Sequence, residues 1–443
     1  MAVDIIIAGA GTVGFRLATT LSEKHNVTVI DKNAEALNRL QESIDILPVI
    51  GNAEDPLTYQ SLLDKDADLF IAITDSDEAN IISCLIADEF IKVDKKIIRL
   101  RNAFFAKCTI AQKLGITEAV FPIARTAHAV KSLLEFPEAS SVKKPNKSDL
   151  LLISIQVEYE AADSLSTAAI NSDQITVVGI EREKQFFIPK EDEILKPDDR
   201  IYLYGVQKAI RSVCSNVNTK MPKEIKKIVI FGADTLGIEI AKSLVQPGIA
   251  VKLIDKNLEQ CKIAAEILKD DVSVINSKYG DYRVIKEERL KDADMLIASS
   301  KNDEENMIKC IEAKEYGVDK VIAINNDVEH YALMHKLGIV AVRGPKNNAY
   351  YSIIEKIGSS SILSSRLFCG GSAVALTRTV HTASDLVGKT VLPYPHDDCL
   401  CLCIRDNKIV PFKDSIVVLS DDYIMAFTTA TEEEKVKKWI YAL

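Results

Sequence analysis

The chain has 443 residues, 47% hydrophobic and 27% charged, with a formal net charge of −9 at pH 7. That length suits three or four domains of ~100–150 residues each, and the acidic balance excludes general nucleic-acid affinity, which rests on clustered Lys and Arg neutralising phosphates. No run reaches the ~20 mostly apolar residues of a membrane helix. The opening residues MAVDIIIAGAG begin a strand without a basic leader region, so a soluble, intracellular protein is expected.

In chain order, the apolar runs DIIIAGA, VTVIDK, DILPVIG, DLFIAIT and KKIIRLR are separated by helix-like stretches such as AEALNRLQESI and EANIISCLIADEF. This alternation predicts a parallel, doubly wound sheet with right-handed crossovers over residues 1–124. A helix-like stretch, TAHAVKSLLEF, and the polar run SSVKKPNKSD make a crossover and linker over 125–148. Residues 149–212 then read as a small β-rich subdomain through LLISIQVEY, QITVVGIERE, QFFIP and DRIYLYG. The order then repeats. KIVIFGA, AVKLIDK, DVSVINS, DMLIASS and KVIAINN predict a second sheet over 225–345, followed by a crossover and linker over 346–372 (NAYYSIIEKI, GSSSILSS) and a second β-rich segment over 373–443. DADLFIAITDSDEAN (66–80) aligns with DADMLIASSKNDEEN (292–306), and KLGI recurs at 113–116 and 336–339. Two units of this length are an internal duplication, since a solenoid needs more and shorter repeats. The fold class is therefore α/β, with two Rossmann-like sheets each followed by a small α+β subdomain.

The first copy carries Gly9, Gly11 and Gly14 spaced as G-x-G-x-x-G between a strand and a helix. In such a turn Gly9 permits the tight bend, Gly11 admits a pyrophosphate to the backbone, and Gly14 lets helix pack on strand. Ala10, Thr12 and Val13 complete the turn, whose helix N-terminus offers free N–H groups and the positive end of the dipole. Asp31, 17 residues after Gly14 at the end of the second strand, is placed to take ribose hydroxyls and disfavours a 2′-phosphate, so NAD(H) is preferred over NADP(H). Asn52 and Ala53 follow the third strand, and Thr74 and Asp75 close the fourth at the carboxyl edge where open sheets bind ligands. Thr74–Asp77 also suits a helix N-cap. Arg16 is read either as a phosphate contact or as a solvated arginine.

In the second copy Asp234 stands at the middle-glycine position, Ser277-Lys278 replace Gly51-Asn52, Lys301 replaces Asp75, and Ala323 is read in place of Arg99; Asp255 survives. A carboxylate beside a pyrophosphate repels it, so the second site is expected to be weak, with Asp255 its remaining ligand residue. None of the six histidines lies in a nucleophile or hydride-relay motif, and the small β-rich modules of ~60 residues are poor substrate domains. No catalytic residue is assigned; an NAD-dependent oxidoreductase is the competing reading. The nine cysteines are read as reduced, and Cys399, Cys401 and Cys403 alternate along a strand without the spacing of a zinc knuckle, so no metal is assigned.

The motifs GAGTVG, VIDKN, GNAEDP, DADLFIAITDSDEANIISCLIA and RLRN resemble the N-terminal RCK (KTN) domain, and QITVVGIEREKQFFIPKEDEILKPDDRIYLYG resembles the small C-terminal RCK subdomain. The tandem arrangement resembles TrkA-type regulators of Trk potassium uptake. The match covers nearly the whole chain and weakens after about 345, where the last subdomain looks degenerate. The resemblance implies a homotetrameric ring at the inner face of the cell membrane, beneath an integral TrkH/TrkG-type translocator, without insertion into the membrane. It also implies that NAD(H), and in some members ATP or ADP, gates that partner. It assigns phosphate to Gly9, Gly11 and Gly14, the adenosine ribose to Asp31, the base region to Asn52 and Ala53, the second ribose region to Thr74 and Asp75, and a basic ligand contact to Arg99.

Overall fold

The computed structural model describes residues 2–63, 66–145, 148–158, 165–217, 224–277, 290–357, 363–382, 384–412 and 414–443. Lys278 and parts of both polar linkers lie outside them. The chain divides into two compact units: Met1–Ala127 with Arg343–Ile357, and His128–Val342 with Gly358–Leu443.

The first unit is built on β1 (Asp4–Ala8), β2 (Asn26–Asp31), β3 (Leu47–Ile50), β4 (Asp66–Ala72), β5 (Lys92–Arg99) and β6 (Glu118–Val120), all parallel, in the order β3-β2-β1-β4-β5-β6. The order reverses beside β1, which places the crevice at the carboxyl ends of β1 and β4. Helices α1 (Thr12–Ser22), α2 (Ala34–Ser43) and α3 (Asp77–Phe90) connect the strands. Period-two alternation sends Ile5 and Ile7 to one face and Ile6 and Ala8 to the other. The continuous apolar run of β1 is thus what a strand buried on both faces requires. One face is covered by α1 together with Ala349 and Ile353 of the helix Pro345–Ile357. That helix comes from the other half of the chain, an exchange that the linear order of motifs does not reveal.

Among the described residues, the second unit holds three further sheets and a short ribbon. The strands β7 (Ser141–Lys143), β8 (Leu150–Gln156), β9 (Ile175–Arg182), β10 (Gln185–Phe187) and β11 (Arg200–Val206) are ordered β10-β9-β11-β8-β7. The second Rossmann sheet, β12 (Lys227–Phe231), β13 (Ala250–Asp255), β14 (Ser273–Asn276), β15 (Met295–Ala298), β16 (Lys320–Asn325) and β17 (Val340–Arg343), repeats the first as β14-β13-β12-β15-β16-β17. The last sheet is β18 (Leu363–Phe368), β19 (Ala373–Thr379), β21 (Cys399–Arg405), β22 (Lys408–Pro411) and β24 (Tyr423–Thr429), with β20 (Thr390–Val391) and β23 (Ile416–Val417) paired apart.

Read from β22, the last sheet runs β22-β21-β24-β19-β18, strand for strand the order of the first small sheet. The subdomain expected to be degenerate therefore keeps its topology. It also keeps an internal clamp: Arg182 holds Asp199 through two hydrogen bonds of 2.9 and 2.8 Å, and Arg405 holds Asp422 through two of 2.9 and 2.7 Å. Both carboxylates are buried and also accept a backbone N–H, from Lys196 and Leu419. β7 and β18 lie inside segments that read as linkers. The two small sheets share a core in which the Tyr202 and Phe368 rings are 5.1 Å apart and those of Tyr204 and Phe427 5.4 Å.

A second duplicated device lies on the Rossmann sheets. Lys95 and Lys320 pair with Leu69 and Met295 at matching register positions. Lys95 Nζ donates to the carbonyl of Lys356 near the end of the helix Pro345–Ile357. Lys320 Nζ donates to the carbonyls of Leu133, Phe136, Pro137 and Ala139, where the helix Pro122–Glu135 ends. Each lysine satisfies carbonyls a helix C-terminus leaves without partners and complements the dipole.

Candidate functional site

The three glycines of the first copy prove to have separate reasons. Gly9 has φ +117°, and a Cβ there would sit 3.1 Å from Thr74 N. A Cβ on Gly14 would stand 1.8 Å from the Gly9 carbonyl oxygen. Both are demanded by the fold. Gly11 is different: its φ is −66°, which any residue adopts, and nothing lies within 4 Å of where its Cβ would be. The backbone does not need a glycine there, and the space where a side chain would stand is open.

Gly11 is also the N-cap of α1, and no side chain caps it. The first N–H groups of a helix have no intrahelical acceptor, so this end faces a cleft of ≈ 700 Å³ lined by Ala10, Gly11, Thr12, Asp31, Asn33 and Arg39 among others. Thr12 is exposed, whereas Val13 and Gly14 are buried in the helix–sheet contact and offer only backbone. Asp31 accepts from Ala10 N at 2.6 Å and Asn33 N at 2.8 Å. Its carboxylate therefore braces the glycine turn while lining the cleft.

Asn52 is exposed, with its side chain turned to Glu54. The Ala53 methyl is buried in the core, and its carbonyl accepts from Tyr59 OH at 3.0 Å; neither residue lines the cleft. Thr74 and Asp75 follow β4 at its carboxyl edge, and within the Thr74–Asp77 stretch the cap of α3 is Ser76, which accepts from Ala79 N. Arg99 donates to Asp75 at 3.1 Å, and Arg101 donates to the Asp75 carbonyl at 2.8 Å. Burial lowers the Arg99 pKa from its ordinary value, and the Asp75 charge opposes that shift. Arg16 is half-buried, unlike a solvated arginine. It stacks 3.9 Å above the Tyr350 ring and donates to Asn347 at 2.6 Å, held by the exchanged helix.

A residue that the sequence reading passed over organises this edge. Asn80, fully buried, accepts from Thr74 N and Thr74 Oγ1, each at 2.7 Å, and donates to the carbonyls of Thr74 and Arg99. Asn306 does the same in the second copy, accepting from Ser300 N and donating to the carbonyls of Ser300 and Ile324. The aligned DEAN and DEEN segments were the available signal. This brace also corrects one equivalence: the counterpart of Arg99 is Ile324, not Ala323, and the strand registers agree. The second copy has no basic residue there on either count.

The second turn keeps the two glycines that the fold requires. Gly232 has φ +108°, and a Cβ on Gly237 would stand 1.7 Å from the Gly232 carbonyl oxygen. Asp234, in place of the ligand glycine, caps its helix through Leu236 N at 3.0 Å and Gly237 N at 3.2 Å. The chain's own carboxylate thus occupies the N–H groups left open in the first copy, and burial raises the Asp234 pKa. Asp255 accepts from Ala233 N and Asn257 N at 2.7 Å each, as Asp31 does. Its survival is explained by bracing the turn.

A duplicated Rossmann fold with one open and one self-capped crevice, each followed by a small sheet of the same topology, defines a class of tandem nucleotide-binding-fold proteins. The TrkA-N domain family is matched at residues 5–122 and 228–345, and the TrkA-C domain family at 164–218. The chain belongs to the TrkA-N family and is of the TrkA type. It is 26% identical over 437 residues to the Trk system potassium uptake protein TrkA of Halomonas elongata, covering 96% of this chain and 95% of that protein. It is 26% identical over 440 residues to the TrkA homolog of Archaeoglobus fulgidus, covering 98% and 99%. Among solved structures, the GsuK RCK domain superposes with a TM-score of 0.61 at 15% identity, covering 100% of this chain and 96% of that one. At that identity the likeness establishes the RCK fold. Among the described residues no helix is long and apolar enough to cross a membrane.

Proposed function

We propose that this chain is the nucleotide-sensing regulatory subunit of a membrane potassium uptake system. The ligand is NAD(H), with ATP or ADP as alternatives, held at the first Rossmann crevice and not chemically altered there. The observation that carries this reading is the contrast between Gly11, whose missing side chain the backbone does not require, and Asp234, which fills the same position with a carboxylate. Relatives named as Trk potassium uptake proteins over nearly their whole length support the physiological setting. Structures of the GsuK channel bound to NAD and of GsuK bound to ADP, which share the fold at 15% and 14% identity, support the ligand class.

On this reading the pyrophosphate lies on the Gly11–Gly14 turn, a ribose on Asp31, and the distal part of the ligand runs past Asn52 and Ala53 toward Thr74, Asp75 and Arg99. Asp255 serves its own turn, and the second copy supports assembly. The chain forms a homotetrameric ring on the cytoplasmic side of the membrane, attached through an integral TrkH/TrkG-type translocator. A ligand gates such a partner only by binding two conformations with different affinity, a coupling of typically ~1–3 kcal/mol per site.

The test is thermal stability of the purified chain against NADH, NAD and ATP, together with potassium uptake at low external potassium in a deletion strain complemented by wild type or Gly11→Asp. A nucleotide-dependent rise in melting temperature that Gly11→Asp abolishes, with loss of nucleotide-dependent uptake, is expected. Equal affinity in both proteins refutes the site, and stoichiometric turnover of NADH with a metabolite refutes the regulatory role.

A further inference from the structure

The second unit gathers three metal-ligating side chains from three separate pieces of sequence. Glu181 lies near the end of β9, His335 in the short helix Tyr331–Lys336 after the second Rossmann sheet, and Cys369 in the turn after β18. One ligand atom from each lies within 4.8 Å of the others, and among the described residues this is the group so arranged. His335 Nε2 is 2.8 Å from Glu181 Oε2 and 2.9 Å from Oε1. Glu181 and Cys369 are buried, and His335 is half-buried. From these positions we infer that Glu181, His335 and Cys369 form a binding site for a borderline divalent cation of the zinc type.

The donor set is one imidazole nitrogen, one thiol sulfur and one carboxylate oxygen, the combination that favours Zn²⁺ over the oxygen-seeking Mg²⁺ and Ca²⁺. Tetrahedral bond lengths of about 2.0–2.3 Å imply ligand-to-ligand edges of roughly 3.3–3.8 Å, so a cation fits once the widest separation, at most 4.8 Å, closes by up to about 1 Å and the His335–Glu181 pair, now 2.8 Å apart, opens by roughly 0.5 Å. A neighbouring cavity of ≈ 90 Å³, lined by Arg200, Tyr202, His335, Cys369 and Gly370 among others, has room for a water as fourth ligand.

Local backbone geometry points the same way. Cys369 has φ +49° although it is not glycine, and such a conformation persists where surrounding structure or function holds it. Gly370, at φ +60°, clears the way for His335: a Cβ there would be 2.9 Å from the His335 Cβ. The Cys369–Gly370–Gly371 turn is shaped to let the helix bearing His335 approach.

Arg200 is the competing cation. Its Nη1 is 3.3 Å from Glu181 Oε2 and 3.0 Å from His335 Nε2, while its Nε is buried with no hydrogen-bond partner. Metal entry displaces this guanidinium from Glu181, and Cys369 releases its thiol proton to the solvent as the Zn–S bond forms. Because that proton must leave for the Zn–S bond to form, affinity rises with pH. A bound cation ties the first small sheet, the second Rossmann domain and the last sheet together, independently of any nucleotide.

The experiment titrates Zn²⁺ alone into the chelator-treated, reduced full-length chain by calorimetry, and Co²⁺ as a spectroscopic probe. One Zn²⁺ per chain and a thiolate-to-cobalt charge-transfer band are expected. His335→Gln, Cys369→Ser and Glu181→Gln each weaken Zn²⁺ affinity by at least about 10–100-fold, the loss typical even of outer-shell substitutions. Arg200→Gln tightens binding, and the double substitution Cys399→Ser, Cys401→Ser leaves it unchanged. The cobalt band needs no variant, so it decides the matter even where a substitution prevents folding. Absence of that band in wild type, or Zn²⁺ affinity unmoved by His335→Gln, overturns the proposal.

Discussion

The two Rossmann copies share a sheet order, a glycine bend at φ above +100°, a helix-packing glycine, an aspartate bracing the turn and a buried asparagine bridging two strand ends. They part at one cap. In the first, α1 begins at Gly11 with no side-chain acceptor; in the second, Asp234 supplies a carboxylate to the same N–H groups. A helix N-terminus favours an anion. In the first copy its N–H groups are left open toward the cleft, and in the second a carboxylate is built into the chain. The features kept in both copies brace the turn, and the one that differs is the residue at the N-cap.

The largest effect tests what both halves keep. Removing Arg405 leaves Asp422 buried and unpaired, and Arg182→Ala does the same to Asp199; each costs about 3–5 kcal/mol, read as the shift in urea midpoint. A cost in one and none in the other breaks the equivalence of the two small sheets. Next comes the transplant. Gly11→Asp lowers nucleotide affinity by at least about 100-fold, or ~2.7 kcal/mol, while the reverse, Asp234→Gly, costs only a few tenths of a kcal/mol in stability.

Asn80→Ala and Asn306→Ala each strand buried polar groups at about 1–3 kcal/mol. Only the former reduces nucleotide affinity, so equal loss of affinity from both sinks the division of labour. Arg16→Ala removes the stacking on Tyr350, worth about 0.5–2 kcal/mol, and leaves nucleotide affinity within about twofold; a larger loss restores Arg16 as a phosphate contact.

The smallest effect concerns pH. Burial pushes the Asp422 carboxyl up, but hydrogen bonds from Arg405 and Leu419 N outweigh it and hold its pKa below the ordinary 3.8. Its stabilisation is therefore full above that value and is lost as pH falls through the folded-state pKa. The stability gap between wild type and Asp422→Asn should shrink below about pH 4; a gap that widens there contradicts the ion pair.

Much of this was legible from residues alone. Strand-length apolar runs broken by helical periodicity define doubly wound sheets, and a strand–glycine–helix junction with a following acid locates the crevice, because both signals are local. Internal repetition even marked which turn was altered. Three features could not be read in this way. Asn80 looks like one more polar residue on a helix until its reach to two strand ends is seen. Arg16 has no sequence neighbour that foretells its stacking on Tyr350. His335 lies 154 positions from Glu181, and only folding brings them within 2.8 Å.

The division follows from the range of the forces involved. Backbone stereochemistry, hydrophobic period and helix capping act over a few residues, so the linear chain specified two Rossmann units, their order and the one glycine the backbone could spare. Contacts between residues hundreds of positions apart depend on which surfaces are brought together as the core is buried. The exchanged crossover helix, the shared core of the small sheets and the Glu181–His335–Cys369 cluster belong to that second kind, and the tertiary structure alone decided them.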